Sequence, residues 1–237
     1  MVIDPRSLID NLDRLEEIEK ATLRLVAQAV FDFRSTAAEI FSNESDLAQD
    51  IGEDITREAL DVMGVSRVNQ RLFGKIDYKR ACYVFLPQYA IKQALFVDSK
   101  AEKNGVGVAR IQTSQISMRI RQKRAGQNVD EQGKLPKIIS INEDHFLTTT
   151  AFVKYKYKYN ANGHNQLVHT TVALIPNGML QERYNPTYQD TIWNAGPNSP
   201  QRGEDFRTRL SFEKLMRKAR WRVQQIPPAP EEYVWQE

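Results

Sequence analysis

The spacing of hydrophobic residues predicts a helical N-terminal region. Over residues 8–41, apolar side chains recur at every third or fourth position, and neither glycine nor proline interrupts them. This is the pattern of an amphipathic helix. A second helix is predicted over residues 45–63, because Gly64 follows directly and helices commonly end before a glycine.

Strand patterns begin near residue 75. Residues 75–86 and 90–101 are rich in β-branched and aromatic side chains, and Pro87 separates them, which predicts a pair of strands. Residues 105–124 are expected to form a helix packed over the sheet. The polar stretch 127–134 is expected to be an exposed loop.

A second hairpin is predicted further along the chain. Residues 152–159 alternate lysine with tyrosine, an Asn-Gly pair follows at 162–163, and residues 167–175 form the returning strand. Asn-Gly between two such runs is a strong turn signal. Residues 183–203 are rich in turn formers, and a last strand or helix is expected from Phe206.

Length and composition indicate one folded unit. With 237 residues, 41% hydrophobic and 27% charged, the chain is expected to form a single domain over 1–237. Within it we expect a helical segment at about 8–63, a core at about 70–222 and a proline-rich tail at 226–237. Helices before, within and after a mostly antiparallel or mixed sheet give an α/β or α+β domain.

Charge and cysteine content indicate the cellular compartment more clearly than the function. The net charge of +3 permits a polyanionic partner without arguing for one. Cys82 is the single cysteine, so an intrachain disulfide is impossible, and the three histidines lie far from it in sequence, which argues against a zinc site. No apolar run approaches membrane-spanning length. A cytoplasmic protein without membrane contact is expected.

The first predicted hairpin brings acidic residues together. If its turn is centred between Pro87 and Gln88, residue i pairs with residue 175 − i, and Asp77 lies opposite Asp98. Directly opposed side chains have Cβ atoms about 4.5–5.5 Å apart. Two carboxylates that close repel each other unless a proton or a cation lies between them. Lys100 follows Asp98 by two residues and therefore points to the same face of the strand.

Two carboxylates and one ammonium group on one patch suit metal-dependent phosphodiester chemistry. Carboxylates with water and a substrate phosphate are the ligands that Mg²⁺ takes. Asp77 and Asp98 are the predicted ligands, and the carbonyl of Ser99 is a third candidate. Lys100 is expected to orient the attacking water and stabilise transition-state charge. The same Asp-x-Lys spacing also fits a surface ion pair at an exposed strand end, and spacing alone leaves both interpretations open.

Two segments carry a resemblance to a known family. Residues 76–80 (IDYKR), followed by 97–101 (VDSKA), are similar to the PD-(D/E)xK core of the SfiI-like type II restriction endonucleases, which are related to BglI. Further similar segments follow the same order over about residues 10–220: EDIT at 53–56, SQ at 114–115, RYNP at 183–186, SPQRGE at 199–204, and the arginines at 207 and 209.

The resemblance implies a fold and an activity. It implies an α/β fold with a PD-(D/E)xK restriction-endonuclease-like core, in which helices flank a mixed central β-sheet. It implies a type II site-specific deoxyribonuclease that uses Mg²⁺ to hydrolyse double-stranded DNA at a GC-containing, interrupted palindrome. Asp77, Asp98 and Lys100 are then catalytic, with Asp77, Asp98 and Ser99 at the metal. A palindrome calls for symmetry-related subunits, so a homo-oligomer is expected, a tetramer in preference to a dimer.

Several charged residues have two interpretations each. Glu53 and Asp54 fit a helix that supports the metal site, or acids that the helix dipole favours at an N-terminus. Lys79, Arg80 and Arg202 are candidates for DNA contact. For Lys79 and Arg80, a solvated strand face is the alternative.

Arg207 and Arg209 stand at alternate positions in the segment RTRLSF. A strand here directs both guanidinium groups to one face. Such a pair suits adjacent guanines, because one arginine donates two hydrogen bonds to guanine O6 and N7. Solvated or phosphate-bound arginines are the alternative.

Lysines at 154, 156 and 158 form a stripe along one predicted strand. The stripe fits a track for DNA phosphates or lysines that protect an exposed sheet edge, and the edge explanation is preferred. The tyrosines at 155, 157 and 159 are then expected in the core, and the histidines are expected to be structural.

Two other functions are compatible with these residues. One is a repair or recombination nuclease with the same core and little sequence specificity. The other is a non-catalytic DNA-binding protein on a nuclease fold. It has no use for Asp77, Asp98 and Lys100, all of which are present.

Overall fold

The structure, a computed structural model, describes residues 2–43, 48–64, 81–103, 107–141, 143–161, 163–195 and 207–237. Its helices are α1 (Leu12–Asp32), α2 (Arg34–Asn43), α3 (Ala48–Val62), α4 (Gln181–Tyr184) and α5 (Phe212–Lys218). Its strands are β1 (Ala81–Leu86), β2 (Ile91–Glu102), β3 (Val108–Gln112), β4 (Ile120–Arg124), β5 (Gln127–Glu131), β6 (Ile138–Ile141), β7 (Asp144–Tyr159), β8 (Asn165–Ile175), β9 (Trp193–Asn194), β10 (Arg207–Ser211) and β11 (Val223–Ile226).

The N-terminal helical region is confirmed, but it is divided. Instead of one helix over 8–41, a short 3-10 turn precedes α1, and Asn11 caps α1 by accepting the backbone N–H of Arg14 at 3.0 Å. Phe33 separates α1 from α2. The side chain of Asn11 competes for backbone donors, which ends one element and starts the next. Among the described residues, no helix is long and apolar enough to cross a membrane.

A mixed sheet forms the centre of the fold. Its strand order is β1-β2-β7-β8-β11, and β6 pairs with the start of β7. Strands β2 and β7 are parallel, whereas the other pairs are antiparallel. Strand β7 is therefore hydrogen-bonded along both sides and buried over most of its length.

Helices α1–α3 cover one face of this sheet. Phe41 of α2 packs on Tyr155 and Tyr157 of β7, with ring centroids 5.7 Å away in each case. A small three-stranded sheet, in the order β3-β10-β9, and helix α5 lie on the opposite face. There the ring of Phe212 packs on that of Phe152, with the ring centroids 6.5 Å apart. The predicted mixed sheet with flanking helices is thus confirmed.

A buried ion pair joins α1 to the segment before β11. Arg222 and Glu19 have no exposed surface, and their charged groups are 2.6 Å apart. Glu19 also accepts the backbone N–H of Asn177 at 2.8 Å. Arg222 lies over the ring of Tyr184, 4.4 Å from its centroid. This pair connects α1 to the segments that follow β8 and precede β11.

The first hairpin has a different register from the predicted one. Ala81 pairs with Phe96, so partner numbers add to 177 and not to 175. A 3-10 turn over Pro87–Tyr89 and a left-handed Ala90 (φ 51°) lengthen the connection. The pairing rule that set Asp77 opposite Asp98 is therefore wrong over the described hairpin.

The middle of the chain is strand and not helix. Residues 105–124 were expected to be helical, but they contain β3 and β4, joined partly by a 3-10 turn. Residues 127–131, expected in a loop, form β5, which pairs with β4 through a two-residue turn at Ala125 and Gly126, both with positive φ. Strand β5 is mostly exposed, so it has no apolar alternation that would indicate a strand.

The second hairpin is confirmed and longer than expected. Strands β7 and β8 pair from Thr150 with Ile175 to Tyr159 with Asn165, and Gly163 in the turn has φ 80°. Because β7 is central, the edge-protection explanation for its lysines is wrong. Tyr155 and Tyr157 are core residues as predicted, whereas Tyr159 is 48% exposed.

A last strand or helix was predicted near the end of the chain, and the structure has both. A strand, β10, is followed directly by a helix, α5. Beyond β11 the tail packs back on the molecule, where the hydroxyl of Tyr233 donates to Gln224 at 2.8 Å and the ring of Tyr233 lies 5.6 Å from Phe31.

Candidate active site

Strand β2 carries the predicted catalytic aspartate and lysine side by side. Asp98 and Lys100 occupy alternate positions near its end, so both face the same side of the sheet. The ammonium of Lys100 is 3.6 Å from a carboxylate oxygen of Asp98. Asp98 is 6% exposed and the side chain of Lys100 is 38% exposed. The pair therefore lies at the boundary between core and solvent.

Ser99 points to the opposite face and ties β2 to α3. Its hydroxyl donates to Thr56 Oγ1 at 2.8 Å, and Thr56 Oγ1 lies 2.9 Å from the hydroxyl of Tyr155. Burial raises the pKa of Tyr155, so its hydroxyl stays neutral. Gly52 allows α3 to approach closely, because a Cβ there would lie 3.2 Å from the backbone nitrogen of Ala101. The side of β2 that faces α3 is thus held by a buried network.

Two lysines connect the open face of the large sheet to strand β3. Lys100 Nζ donates to the carbonyl of Arg110 at 2.7 Å, and Lys154 Nζ donates to the carbonyl of Val108 at 3.0 Å. Lys154 also pairs with Glu102 at 2.7 Å and is 5% exposed. The lysine expected to contact DNA phosphates or protect an edge is instead a buried cation inside the fold.

The small sheet presents opposed arginines. Arg209 of β10 pairs directly with Arg110 of β3 and, on its other side, with Asn194 of β9. Thr208 and Leu210, on either side of Arg209, are buried. Like charges directly opposite each other on paired strands are destabilising. Within the described part of the chain, neither guanidinium group forms an ion pair. This surface is therefore suited to an anionic or hydrogen-bond-accepting partner.

Several predicted site residues lie beyond what the structure describes. These are Asp77, Lys79, Arg80 and Arg202. The backbone of Arg207 is in β10 opposite Gln112, as the strand prediction requires.

Glu53 and Asp54 lie on α3, past its first turn, which removes the helix-dipole explanation. Asp54 is exposed and pairs with Arg57 on the same helix. Glu53 is half-buried. Their support of a metal site stays a prediction.

The ligands available for a metal are oxygens. Among the described residues, no three carboxylate, histidine or cysteine side chains lie close enough together to hold an ion. Asp98 supplies one carboxylate, and the carbonyl of Ser99 is the neighbouring backbone oxygen. Mg²⁺ sites often use one or two carboxylates and complete their shell with water and substrate phosphate. The donor chemistry of β2 fits that ion.

The RYNP segment proves to be a structural junction. The side-chain oxygen of the buried Asn185 accepts the backbone N–H of Arg121 at 2.7 Å and the indole N–H of Trp193 at 3.1 Å. Arg183 pairs with Asp13 at 2.8 Å and Glu16 at 2.6 Å. The segment therefore fixes the β4–β5 hairpin and the small sheet to helix α1.

A cavity of about 280 Å³ with a mixed polar and apolar lining is present near the site, between the large sheet and α5. Lys154, Lys156 and His169 are among its lining residues, whereas Asp98 and Lys100 are not. Burial, and then the charges of the two lysines, lower the pKa of His169. His169 is thus a neutral imidazole at neutral pH.

Sequence reasoning missed Arg110, Glu102 and Lys154 as partners of the site. The signal that the sequence offers for Arg110 is an alternation of apolar and charged residues in β3. Residues 109 and 111 are apolar and buried, whereas residue 110 is charged and exposed. Glu102 lies two residues after Lys100 on β2, so the alternation of side chains along the strand places it on the same face as Asp98 and Lys100. No local signal places Lys154 beside it, because the two belong to different strands.

A buried aspartate, an adjacent lysine and a surface with opposed arginines are groups that an enzyme acting on a phosphodiester backbone needs. A family model described as "Type II restriction enzyme SfiI" matches residues 28–226. The type II restriction enzyme SfiI of Streptomyces fimbriatus is 34% identical over 91% of this chain and 85% of the relative. This chain therefore belongs to the SfiI family of type II restriction enzymes, and the expected class of enzyme is confirmed.

Solved structures give the same result for the fold. The crystal structure of tetrameric SfiI bound to cognate DNA matches with a TM-score of 0.83 and 32% identity, over 98% of this chain and 91% of that chain. The restriction endonuclease BglI, bound to its DNA recognition sequence, matches with a TM-score of 0.72 over 94% of this chain and 93% of that chain. At 15% identity, BglI shows the shared fold alone.

Proposed function

We propose that this protein is a Mg²⁺-dependent type II restriction endonuclease that hydrolyses double-stranded DNA at a GC-containing, interrupted palindrome. The observation that carries the proposal is the placement of Asp98 and Lys100 side by side on β2, one hydrogen bond away from the strand that carries Arg110. A carboxylate, an ammonium group and a basic surface thus lie on one side of the large sheet. The proposed site acts in the cytoplasm, where the single cysteine stays reduced.

In this mechanism Asp98, Asp77 and the carbonyl of Ser99 would hold the metal. Bound Mg²⁺ supplies positive charge that polarises the scissile phosphate and lowers the pKa of water. Lys100 orients the attacking water and stabilises charge that develops on the phosphate. Its hydrogen bond to the Arg110 carbonyl fixes the position of the ammonium, and the ring of Phe152, 5.7 Å away, provides an apolar wall.

Recognition of DNA is assigned to the small sheet. Arg110 and Arg209 are directly opposed, so their repulsion is relieved when phosphates or guanine acceptors lie between or above them. Arg207 occupies the next alternate position of β10 and is proposed to read bases with Arg209. Lys79, Arg80 and Arg202 are proposed as further DNA contacts.

Digestion of plasmid DNA with and without Mg²⁺ tests the proposed function. Discrete fragments that disappear on chelation support it, and sequencing of their ends gives the recognition site. A smear indicates a nuclease of low specificity. DNA binding without cleavage indicates a non-catalytic protein on this fold.

Arginine substitutions test how the small sheet reads DNA. We expect Arg207→Ala and Arg209→Ala, assayed in Ca²⁺ to prevent cleavage, to lose about 1–3 kcal/mol of cognate binding each and to keep most non-specific affinity. Arg110→Ala is the companion variant on the paired strand. Arg217→Ala is the matched control, because that arginine is exposed and pairs with Glu213. Equal losses on cognate and random duplexes would instead assign the arginines to phosphates, with a lower salt dependence of binding.

The assembly is proposed to be a homotetramer. Two subunits serve the two strands of a palindrome, and the similarity to tetrameric SfiI supports pairing of two such dimers. Light scattering at micromolar concentration is expected to give four subunits, with a dimer as the other outcome compatible with palindrome cleavage. A species that stays monomeric on cognate DNA contradicts both.

A further inference from the structure

The contact between the two sheets depends on a pair of lysines. Strand β3 lies at the edge of the small sheet, and the carbonyls of Val108 and Arg110, two residues apart, point the same way. Lys154 and Lys100 donate to these carbonyls at 3.0 and 2.7 Å. The catalytic strand and the proposed recognition strand are therefore joined through two adjacent hydrogen bonds, one of which involves the proposed catalytic lysine.

The two lysines are neighbours across β2 and β7. Lys100 pairs with Lys154 in the parallel register, and adjacent strands are about 4.8 Å apart. Two ammonium groups that close require negative charge nearby. Glu102 lies 2.7 Å from Lys154, and Asp98 lies 3.6 Å from Lys100. Each lysine thus has a carboxylate on the same strand face, Glu102 for Lys154 and Asp98 for Lys100.

The ion pair between Lys154 and Glu102 is largely buried, which makes it costly to disrupt. The side chain of Lys154 is 5% exposed and that of Glu102 is 32% exposed. A buried cation is costly unless it is paired and hydrogen-bonded. Lys154 has both a carboxylate partner and the carbonyl of Val108. Its position is therefore fixed, and so is the position of β3 above β2.

We propose that Glu102 and Lys154 are positioning residues that set the recognition strand β3 against the catalytic strand, so that the Arg110 carbonyl holds Lys100 beside Asp98. This role requires no contact of either residue with DNA or metal. Because Arg110 offers its carbonyl to Lys100 and its side chain to DNA, correct docking of DNA on β3 is transmitted to the catalytic ammonium. The inference rests on the proposed nuclease function and adds to it a link between recognition and cleavage.

Lys154→Met tests the inference. It removes the hydrogen bond to Val108 and the pairing with Glu102 while retaining most of the side-chain volume. In single-turnover cleavage with Mg²⁺ we expect a loss of about 10²-fold, the size of effect that a 1 Å misplacement can have. The affinity for cognate DNA in Ca²⁺ is expected to change little. A merely structural role lowers the fraction of active protein without changing the rate constant of the remainder.

Lys92→Met is the matched control. Lys92 is also a β2 lysine in an ion pair with β7, 2.6 Å from Asp144 at the opposite end of the two strands. The Lys92→Met variant is expected to cleave DNA at the wild-type rate. The double variant Glu102→Leu/Lys154→Met removes both charges of the pair, and its slow cleavage in a folded protein supports the inference even where Lys154→Met does not fold.

The outcomes separate the two proposals. A wild-type protein that does not cleave DNA contradicts the proposed function. A wild-type protein that cleaves, together with a folded Lys154→Met or double variant that cleaves equally fast, overturns the positioning role. Loss of DNA affinity in proportion to the loss of cleavage also overturns it, because Lys154 then acts in binding.

Discussion

Asp98→Asn is expected to slow single-turnover DNA cleavage in Mg²⁺ by about 10³-fold, at the upper end of what loss of one electrostatic stabiliser costs. The substitution keeps the shape of the side chain and removes the charge that is proposed to hold the metal. Folding is expected to persist, since a buried carboxylate is costly and Asp98 is 6% exposed. Asp77→Asn is expected to have the same effect.

Asp144→Asn is the control for this charge removal. Asp144 is an exposed carboxylate at the start of β7 that pairs with Lys92, so its loss is expected to leave cleavage unchanged. DNA binding in Ca²⁺ and the thermal unfolding midpoint show that the Asp98 variant is intact. Cleavage by Asp98→Asn at a rate near that of wild type would remove Asp98 from the catalytic site.

Arg222→Met is expected to give the largest loss of stability, about 3–5 kcal/mol in the free energy of unfolding, because it leaves the Glu19 carboxylate buried without its cation. Both side chains have no exposed surface and are 2.6 Å apart. Urea denaturation measures this loss, at one protein concentration because assembly adds to the apparent stability.

The loss should depend on pH. Burial raises the pKa of Glu19, and removal of Arg222 raises it further. A carboxyl with a folded pKa above its unfolded value costs stability as the pH rises from the unfolded pKa to the folded pKa. The variant is therefore expected to be less destabilised, relative to wild type, near about pH 5 than near about pH 8.

Replacing both partners distinguishes an unpaired charge from lost packing. Glu19→Leu/Arg222→Met is expected to recover part of the stability, since apolar replacement of a buried pair is often neutral, whereas the Asn177 N–H loses its acceptor. Arg217→Met, which breaks an exposed pair with Glu213, is expected to have little effect. A double variant as unstable as Arg222→Met would mean that packing around Tyr184 is the main contribution of Arg222.

Local patterns in the sequence were sufficient for the features that depend on local geometry. Asp98 and Lys100 share a face because side chains alternate along any strand, whatever the strand pairs with. The β7–β8 hairpin follows from its Asn-Gly turn, in which Gly163 has the positive φ that glycine adopts without strain. Helix α3 agrees with its prediction, which rested on the glycine that follows it at position 64.

The register of the first hairpin did not follow from local patterns. Its connection uses Ala90 with φ 51°, a conformation that alanine seldom adopts and that no glycine or asparagine signals in advance. A turn centred one residue later shifts every partner number by two. The direct opposition of Asp77 and Asp98 was therefore a choice of register that the sequence could not make.

Strand β5 was missed for a different reason. An apolar pattern reports only the faces that contact the core, and β5 is mostly exposed on both sides. Its pairing with β4 through backbone hydrogen bonds leaves no trace in side-chain type. Arg110 belongs to β3, which lies in a segment that was predicted to be a helix. Its position opposite Arg209 therefore depends on the pairing of β3 with β10, which only the structure shows.

By itself, the sequence determined the family and the relative orientation of Asp98 and Lys100, because these depend on motif identity and on neighbouring residues. The tertiary structure alone decided that Lys154 is buried and that Glu102 and the Val108 carbonyl surround it. Whether a lysine is solvated or buried depends on which distant segments cover it. That depends on long-range packing, which a stripe of alternating lysines and tyrosines does not encode.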